Sequence, residues 1–147
     1  MLTIRPVQDP EEQKDICRRC GMEYIPRAFC HAAEENGLLG AAQSRIEADR
    51  GVIVSMRAVA GAGRDEEAMF LLCRAVLNFF DLCGLKEAEF SPLAEAERKT
   101  ALCAGFEPCG RILAARDLPE LFKHRCGAHK QPENTENHDC SKQFKTK

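Results

Sequence analysis

The chain has 147 residues, which suits a single domain, because domains typically use about 100–200 residues. Hydrophobic residues make up 44% and charged residues 30%, so the chain can bury a core without disulfide or metal support, and no metal is expected. A formal net charge of -2 with interspersed signs argues against nucleic acid as a partner.

Cellular location is predicted from the start of the chain and from its cysteines. Residues 1–6 form no apolar run of signal-peptide length, and the longest uncharged stretches fall short of the roughly 18–20 residues of a membrane span. We therefore expect a cytoplasmic protein with no membrane partner. The nine cysteines, an odd number, then predict reduced thiols rather than a disulfide framework, and Cys73 and Cys83 are expected to pack on an apolar helix face.

The N-terminal half predicts a strand, a helix and a three-stranded meander. Residues 2–7 alternate as a strand does, and Asp9 is predicted to cap a helix over residues 11–20 that has Pro10 at its first position and stops at Gly21. The dipeptide Asn36-Gly37 indicates a tight hairpin, because both residues accept positive φ. The meander is predicted over residues 27–33, 38–48 and 52–59.

The C-terminal half predicts alternating helices and strands. Helices are predicted over residues 65–83, 93–104 and 117–126, and strands over 86–90 and 111–115. Together with the meander, this order predicts an α/β (α+β) chain with a mixed sheet whose last part contains parallel pairs. Residues 1–126 form the predicted domain. Residues 127–147 are almost free of apolar side chains and are predicted to be a disordered tail.

Two spaced motifs carry a resemblance to a known family. A strand ends at Val59, Arg64 follows five positions later, and the next helix ends at Gly84; after another helix comes Gly105-Phe106-Glu107. This spacing resembles the GNAT superfamily of acyl-CoA N-acyltransferases over nearly all of residues 1–126. The resemblance implies a twisted mixed sheet flanked by helices, acetyl-CoA or another acyl-CoA as co-substrate, and acyl transfer to an amine of a small molecule or peptide.

The resemblance also implies which residues hold the acyl-CoA. An amide near Val59 would stabilise the oxyanion, and the following loop and helix start would bind the pyrophosphate, as helix N-termini do. Where the family usually has glycine, this chain has Asp65, Glu67 and Met69. These carboxylates either stabilise the helix start or repel the pyrophosphate by on the order of 1 kcal/mol per pair, with Gly61-Ala62-Gly63 as a shifted anion site. The implied residues are Val59, Gly61, Arg64, Asp65, Glu66, Glu67, Ala68 and Met69.

Catalytic groups are less well defined. The tyrosine general acid of many family members would fall near Ala101, and the only tyrosine of the chain is Tyr24, which the resemblance associates with the acceptor pocket and which a loop surface would accommodate equally well. Candidate bases near the predicted cleft are Glu34, Glu35, Glu47 and Ser55, with solvated surface positions as the alternative. The missing glycines and tyrosine keep a second hypothesis open, namely a GNAT-fold ligand-binding or interaction module without catalysis.

The cysteine spacing and one edge of the predicted sheet suggest two further hypotheses. Cys17-x-x-Cys20 and Cys126-x-x-His129 supply four ligands of the kind that bind zinc, but Cys17 and Cys20 share a predicted apolar helix face, so packed cysteines are the preferred interpretation. An exposed sheet edge near the C-terminal strand allows a homodimer.

Overall fold

The computed structural model describes residues 1–61 and 63–123, which form a seven-stranded mixed sheet of order β1-β2-β3-β4-β5-β7-β6. The predicted α/β class with a mixed sheet is confirmed, whereas Cys126, His129 and the predicted tail lie outside the described residues. The strands are β1 (Thr3–Pro6), β2 (Phe29–Glu34), β3 (Leu38–Glu47), β4 (Arg50–Ala58), β5 (Glu87–Phe90), β6 (Glu107–Cys109) and β7 (Ile112–Ala115). The helices are α1 (Pro10–Arg19), α2 (Glu66–Leu82), α3 (Glu95–Ala104) and α4 (Leu118–Phe122).

Local sequence signals explain where the elements begin and end. Asp9 caps α1 by accepting a hydrogen bond from the Glu12 amide at 3.2 Å, and Pro10 occupies the first helical position, as predicted. Asp65 caps α2 in the same way through the Ala68 amide at 3.0 Å. The Asn36-Gly37 turn joins β2 to β3 with both residues at positive φ, which confirms the hairpin.

The pairing of the last strands corrects one prediction. Only the β4–β5 pair is parallel, while β7 lies antiparallel to β5 and to β6, a strand that was not predicted. The reason is a tight hairpin at Gly110, where φ is +68°, that reverses the chain between β6 and β7. A three-residue strand containing Pro108 gives too short a pattern to recognise in the sequence.

Two apolar clusters lie on opposite faces of the sheet. Neighbouring alanines of the central strands alternate between them: Ala33 and Ala42 face α2, α3 and α4, whereas Ala32 and Ala41 face α1. Cys73 is fully buried in the larger cluster, as predicted. Cys83 is exposed, contrary to the prediction, because it caps the C-terminus of α2 one residue beyond the last turn.

The contact between β4 and α2 is close enough to require glycine at position 51. A Cβ atom built on Gly51 would lie 2.4 Å from the Phe80 ring, which is fully buried. We expect Gly51→Ala to lower the free energy of unfolding by about 1–3 kcal/mol, since the ring has no room to shift. Chemical denaturation of this variant beside Gly63→Ala, whose Cβ meets nothing within 4 Å, measures the effect; equal stabilities would contradict the predicted clash.

His31 on β2 is buried against Phe79 of α2, with 5.2 Å between ring centroids. Burial lowers the pKa of His31, so the unfolded chain binds a proton at higher pH than the folded chain does. The contribution of neutral His31 to the free energy of unfolding should therefore be fully present at pH values above the ordinary histidine pKa of about 6.5. It should fall as the pH drops below that value and level off below the folded-state pKa. Melting temperatures between pH 8 and pH 5 should fall less steeply for His31→Phe; identical slopes would contradict this assignment.

Candidate functional site

The strands β4 and β5 separate halfway along β4. Their parallel pairing covers Arg50 to Ile53 on β4 and ends at Phe90 on β5. At the same point the β3–β4 register shifts, because Gln43 pairs with Ser55 while its neighbour Ser44 pairs with Ile53. Val54 is therefore an extra, bulged residue, and a bulge bends its strand and increases the local twist. The second half of β4 turns away from β5 and leaves a split in the sheet.

Beyond the bulge, two amides of β4 point into this split. Val59 donates to the Leu39 carbonyl at 2.9 Å, and in an antiparallel ladder such pairs alternate, so Arg57 and Ser55 also face β3. Met56 and Ala58 consequently direct their N–H groups away from β3, on the side where β5 has ended. The amide of Val59 is paired, so it does not point into the split, and the nearby amides that do belong to Ala58 and Met56.

The split opens into a cleft of about 240 Å³. Loop 21–25, which follows α1, covers one side of it, and the start of α3 and the loop after β5 form the other side. The lining is mainly apolar, with two hydroxyl groups and three charged side chains. The lining residues are Gly21, Met22, Glu23, Ile25, Val54, Ser55, Met56, Arg57, Phe90, Ser91, Leu93 and Glu97.

Gln43 on β3 holds loop 21–25 in place. Its side chain is buried, with 1% exposure, and its Oε1 accepts from the Ile25 amide at 2.9 Å. Its Nε2 donates to the Glu23 carbonyl at 2.8 Å and to Ser55 Oγ at 3.0 Å. Because Ser55 accepts this bond, its own hydroxyl proton is available to a molecule in the cleft.

Arg64 joins the loop before α2 to the start of α3. Its guanidinium donates to Glu97 Oε2 at 2.7 Å, to Glu66 Oε2 at 3.0 Å and to the Ala96 carbonyl at 3.2 Å. A further bond goes to the Thr100 hydroxyl. Glu97 is buried, with 4% exposure, so Arg64 neutralises a carboxylate that would otherwise be unpaired. Thr100, with 0% exposure, accepts from Arg64 and also donates to the Ala96 carbonyl at 3.0 Å. The arginine of the motif is therefore engaged within the protein.

The start of α2 offers backbone N–H groups next to carboxylates. By position in the first turn, the amides of Glu66 and Glu67 have no intrahelical partner, whereas the Ala68 and Met69 amides bond to Asp65. The side chains of Ala68 and Met69 are fully buried in the core and do not line the loop. Gly61, at φ +86°, and Gly63 leave open space where a Cβ would lie.

The other sequence candidates lie apart from the cleft, with one exception. Ser55 lines it, as described above. Tyr24 lines a separate pocket with Phe29 and His31, although its neighbours Glu23 and Ile25 line the cleft. Glu47 lies opposite Arg50 at the far end of the β3–β4 hairpin, about 16 Å along β4 from Ser55.

Two further carboxylates are held by cationic groups near the β2–β3 turn. Glu34 bonds to Arg5 at 3.0 Å, which lowers the pKa of Glu34, and Glu35 lies 3.6 Å from the N-terminal amine. Glu34 is thereby stabilised as a carboxylate, which makes it a weaker base for deprotonating an amine.

Three cysteines, from α1, its C-cap and β2, pack in the smaller apolar cluster. Cys17, Cys20 and Cys30 are buried there, and burial raises the pKa of Cys20 to about 11 and that of Cys30 to about 12. Such thiols stay protonated at neutral pH, whereas metal binding and nucleophilic attack need the thiolate. Among the described residues, no cluster of three metal-ligating side chains is found. No helix of residues 1–61 and 63–123 is long and apolar enough to cross a membrane.

Sequence reasoning did not single out Gln43, Glu23 or Glu97 as parts of the cleft. For Gln43 a signal was available, since a lone amide side chain follows Gly40-Ala41-Ala42 in a strand of small residues, where a polar group must find a buried partner. Glu23 and Glu97 give no such signal, because a glutamate in a loop or first helical turn is ordinarily solvated.

Comparison with known proteins identifies the fold. No protein-family model and no curated protein sequence matches the chain. Solved structures do match: an aminoglycoside acetyltransferase in complex with coenzyme A has a TM-score of 0.63 at 15% identity, over 86% of this chain and 100% of that one. The ribosomal-protein-S18-alanine N-acetyltransferase from Escherichia coli has a TM-score of 0.61 at 14% identity, over 80% and 94% of the chains.

A Desulfovibrio desulfuricans protein assigned to the GNAT family of acetyltransferases has a TM-score of 0.61 at 13% identity, over 79% of this chain and 99% of that one. The chain therefore has the GNAT acetyltransferase fold, and the predicted architecture is confirmed. Identities this low show the fold alone. The activity has to be inferred from the cleft itself.

Proposed function

We propose that the protein is an acyl-CoA-dependent N-acyltransferase that acts in the split between β4 and β5. The observation that carries this proposal is the pair of amides, Met56 and Ala58, that β4 directs into the split after the bulge at Val54. Two parallel N–H groups on an open strand edge bind a peptide-like pantetheine arm, and the same kind of donor stabilises the oxyanion of a thioester under attack.

The residues of the split fit the thioester arm well. Phe90, Met56 and Val54 exclude water from the reacting atoms, and Ser55 has a hydroxyl proton to donate. The amine nitrogen attacks the thioester carbonyl carbon, a C–N bond forms as the C–S bond breaks, the nitrogen releases a proton and the leaving thiolate takes one up. The main contributions of the protein are positioning of the two reactants and hydrogen bonding to the carbonyl oxygen.

The pyrophosphate end fits less well. The Glu66 and Glu67 amides and the open space at Gly61 and Gly63 suit an anion, but the carboxylates of Glu66 and Glu67 lie beside it and Arg64 is bonded to α3. This observation favours the second candidate function, a GNAT-fold binding module without catalysis. The two candidates differ in whether an acyl-CoA binds in the split.

Calorimetric titration with acetyl-CoA separates them. We expect micromolar binding, and about tenfold weaker binding to Ala58→Pro, because proline removes an N–H group on the side where β4 has no neighbour and leaves the β3 ladder intact. The melting temperature of Ala58→Pro serves as the control for folding. No binding by the unmodified protein up to millimolar acetyl-CoA would overturn the proposal and leave the binding module.

A further inference from the structure

The cleft carries two opposite charges that have no ion-pair partner in the described part of the chain. Glu23 on loop 21–25 and Arg57 on β4 both line the cavity and are exposed. Neither forms an ion pair with another side chain of residues 1–61 and 63–123. The third charged lining residue, Glu97, is neutralised by Arg64 at 2.7 Å. The cleft thus presents one available carboxylate and one available guanidinium.

The backbone that carries Glu23 is held in place by a buried side chain. Gln43 bonds to the Glu23 carbonyl and the Ile25 amide, so the backbone on both sides of Tyr24 is fixed by a buried side chain. Arg57 is fixed by its place in the β3–β4 ladder opposite Ala41. Both charges therefore project from ordered backbone, which reduces the entropy lost when they bind a ligand.

Apolar side chains also line the cleft. Leu93, on the loop between β5 and α3, is 97% exposed, an unusual position for a leucine that lines a cavity. Ile25 lies on the covering loop. The cavity of about 240 Å³ is below the range of about 300–1,000 Å³ that is typical of drug-sized ligands, and the thioester arm occupies part of it, so the remaining space suits a molecule no larger than an amino acid.

We propose that the cleft binds a free α-amino acid with an apolar side chain as the acyl acceptor. The ammonium group pairs with Glu23, the carboxylate pairs with Arg57 in the bidentate manner that guanidinium groups favour, and the side chain covers Leu93 and Ile25. The claim that the bound amino acid accepts an acyl group rests on the proposed function. The binding site itself is defined by Glu23, Arg57 and Leu93.

The test uses L-leucine, L-leucinamide and 3-methylbutylamine as probes. Binding is followed by NMR shifts of the isotopically labelled full chain, with and without saturating CoA. We expect L-leucine to bind about three- to fivefold more tightly than the two probes without a carboxylate, as befits one solvent-exposed charge pair. Arg57→Gln should reduce the affinity for L-leucine to that for L-leucinamide, and Glu23→Gln should weaken all three probes. Arg45→Gln, an exposed arginine at the far end of β3, is the matched control and should change nothing.

The outcomes distinguish this inference from the proposed function. Equal binding of L-leucine and L-leucinamide, or no shifts with L-leucine in either titration, overturns the amino-acid site. Weaker acetyl-CoA binding by Arg57→Gln with unchanged L-leucine affinity also overturns it and assigns Arg57 to the phosphates. Carboxylate-dependent L-leucine binding without any acetyl-CoA binding supports the site while it overturns the acyltransferase.

Discussion

Replacing Arg64 with methionine is expected to lower the free energy of unfolding by about 3 kcal/mol. The substitution leaves the Glu97 carboxylate, with 4% residue exposure, and the buried Thr100 hydroxyl without the guanidinium that bonds to them. Removal of one partner of a buried ion pair is costly, because the remaining charge is desolvated and uncompensated. Urea denaturation of Arg64→Met measures this cost.

A double-mutant cycle supplies the control. Glu97→Leu in the Arg64→Met background removes the uncompensated charge, so the double variant should be more stable than Arg64→Met alone, with a coupling free energy of at least about 1 kcal/mol. Arg45→Met, which breaks only the exposed pair with Glu47, should cost less than about 1 kcal/mol. A cost for Arg64→Met as small as that for Arg45→Met would contradict the predicted contribution of the bonds between Arg64 and α3.

Gln43→Leu should both destabilise the protein and release the loop that covers the cleft. The leucine is close in size but leaves the Ile25 amide, the Glu23 carbonyl and Ser55 Oγ without their shared partner. Because these groups lose a hydrogen bond, the free energy of unfolding of Gln43→Leu should fall by about 1–3 kcal/mol. Hydrogen exchange at the Ile25 amide should become at least about tenfold faster, because the oxygen that accepts its hydrogen bond is gone.

Gln13→Leu is the matched control for this effect. Gln13 is also a buried glutamine, and its side chain donates to the Val7 carbonyl at 2.7 Å, away from the cleft. Its replacement should lower stability without faster exchange at Ile25. Equal exchange rates at Ile25 in Gln43→Leu and in the unmodified protein would show that other contacts hold loop 21–25.

The order of elements was predictable because local signals agree with the final structure. Asp9 with Pro10, the Asn36-Gly37 turn and the helical stripe from Met69 to Phe80 each depend on a few neighbouring residues. The short β6–β7 hairpin was missed because the three residues of β6, around Pro108, are too few to show the alternation of apolar and polar residues that indicates a strand. The position of the motif arginine followed from the sequence as well, but its bonds to α3 did not, since they join residues more than 30 positions apart.

The cleft was less predictable than the fold. Its shape depends on Val54 being an extra residue in β4, and a bulge is a property of two paired strands that neither strand reveals alone. Its covering loop depends on Gln43, whose three partners come from two other segments. Ser55 was named from its strand alone, whereas Tyr24 was associated with the acceptor side and lines a different pocket.

The most direct test of the proposed site is amide hydrogen exchange along β4 with and without acetyl-CoA. Met56 and Ala58 direct their amides into the split, whereas Ser55 and Arg57 bond to β3, so alternate residues of one strand serve as probe and control. We predict that acetyl-CoA slows exchange at Met56 and Ala58 and leaves Ser55 and Arg57 unchanged. Unaltered exchange at Met56 and Ala58 in millimolar acetyl-CoA would contradict the assignment of the split as an acyl-CoA site.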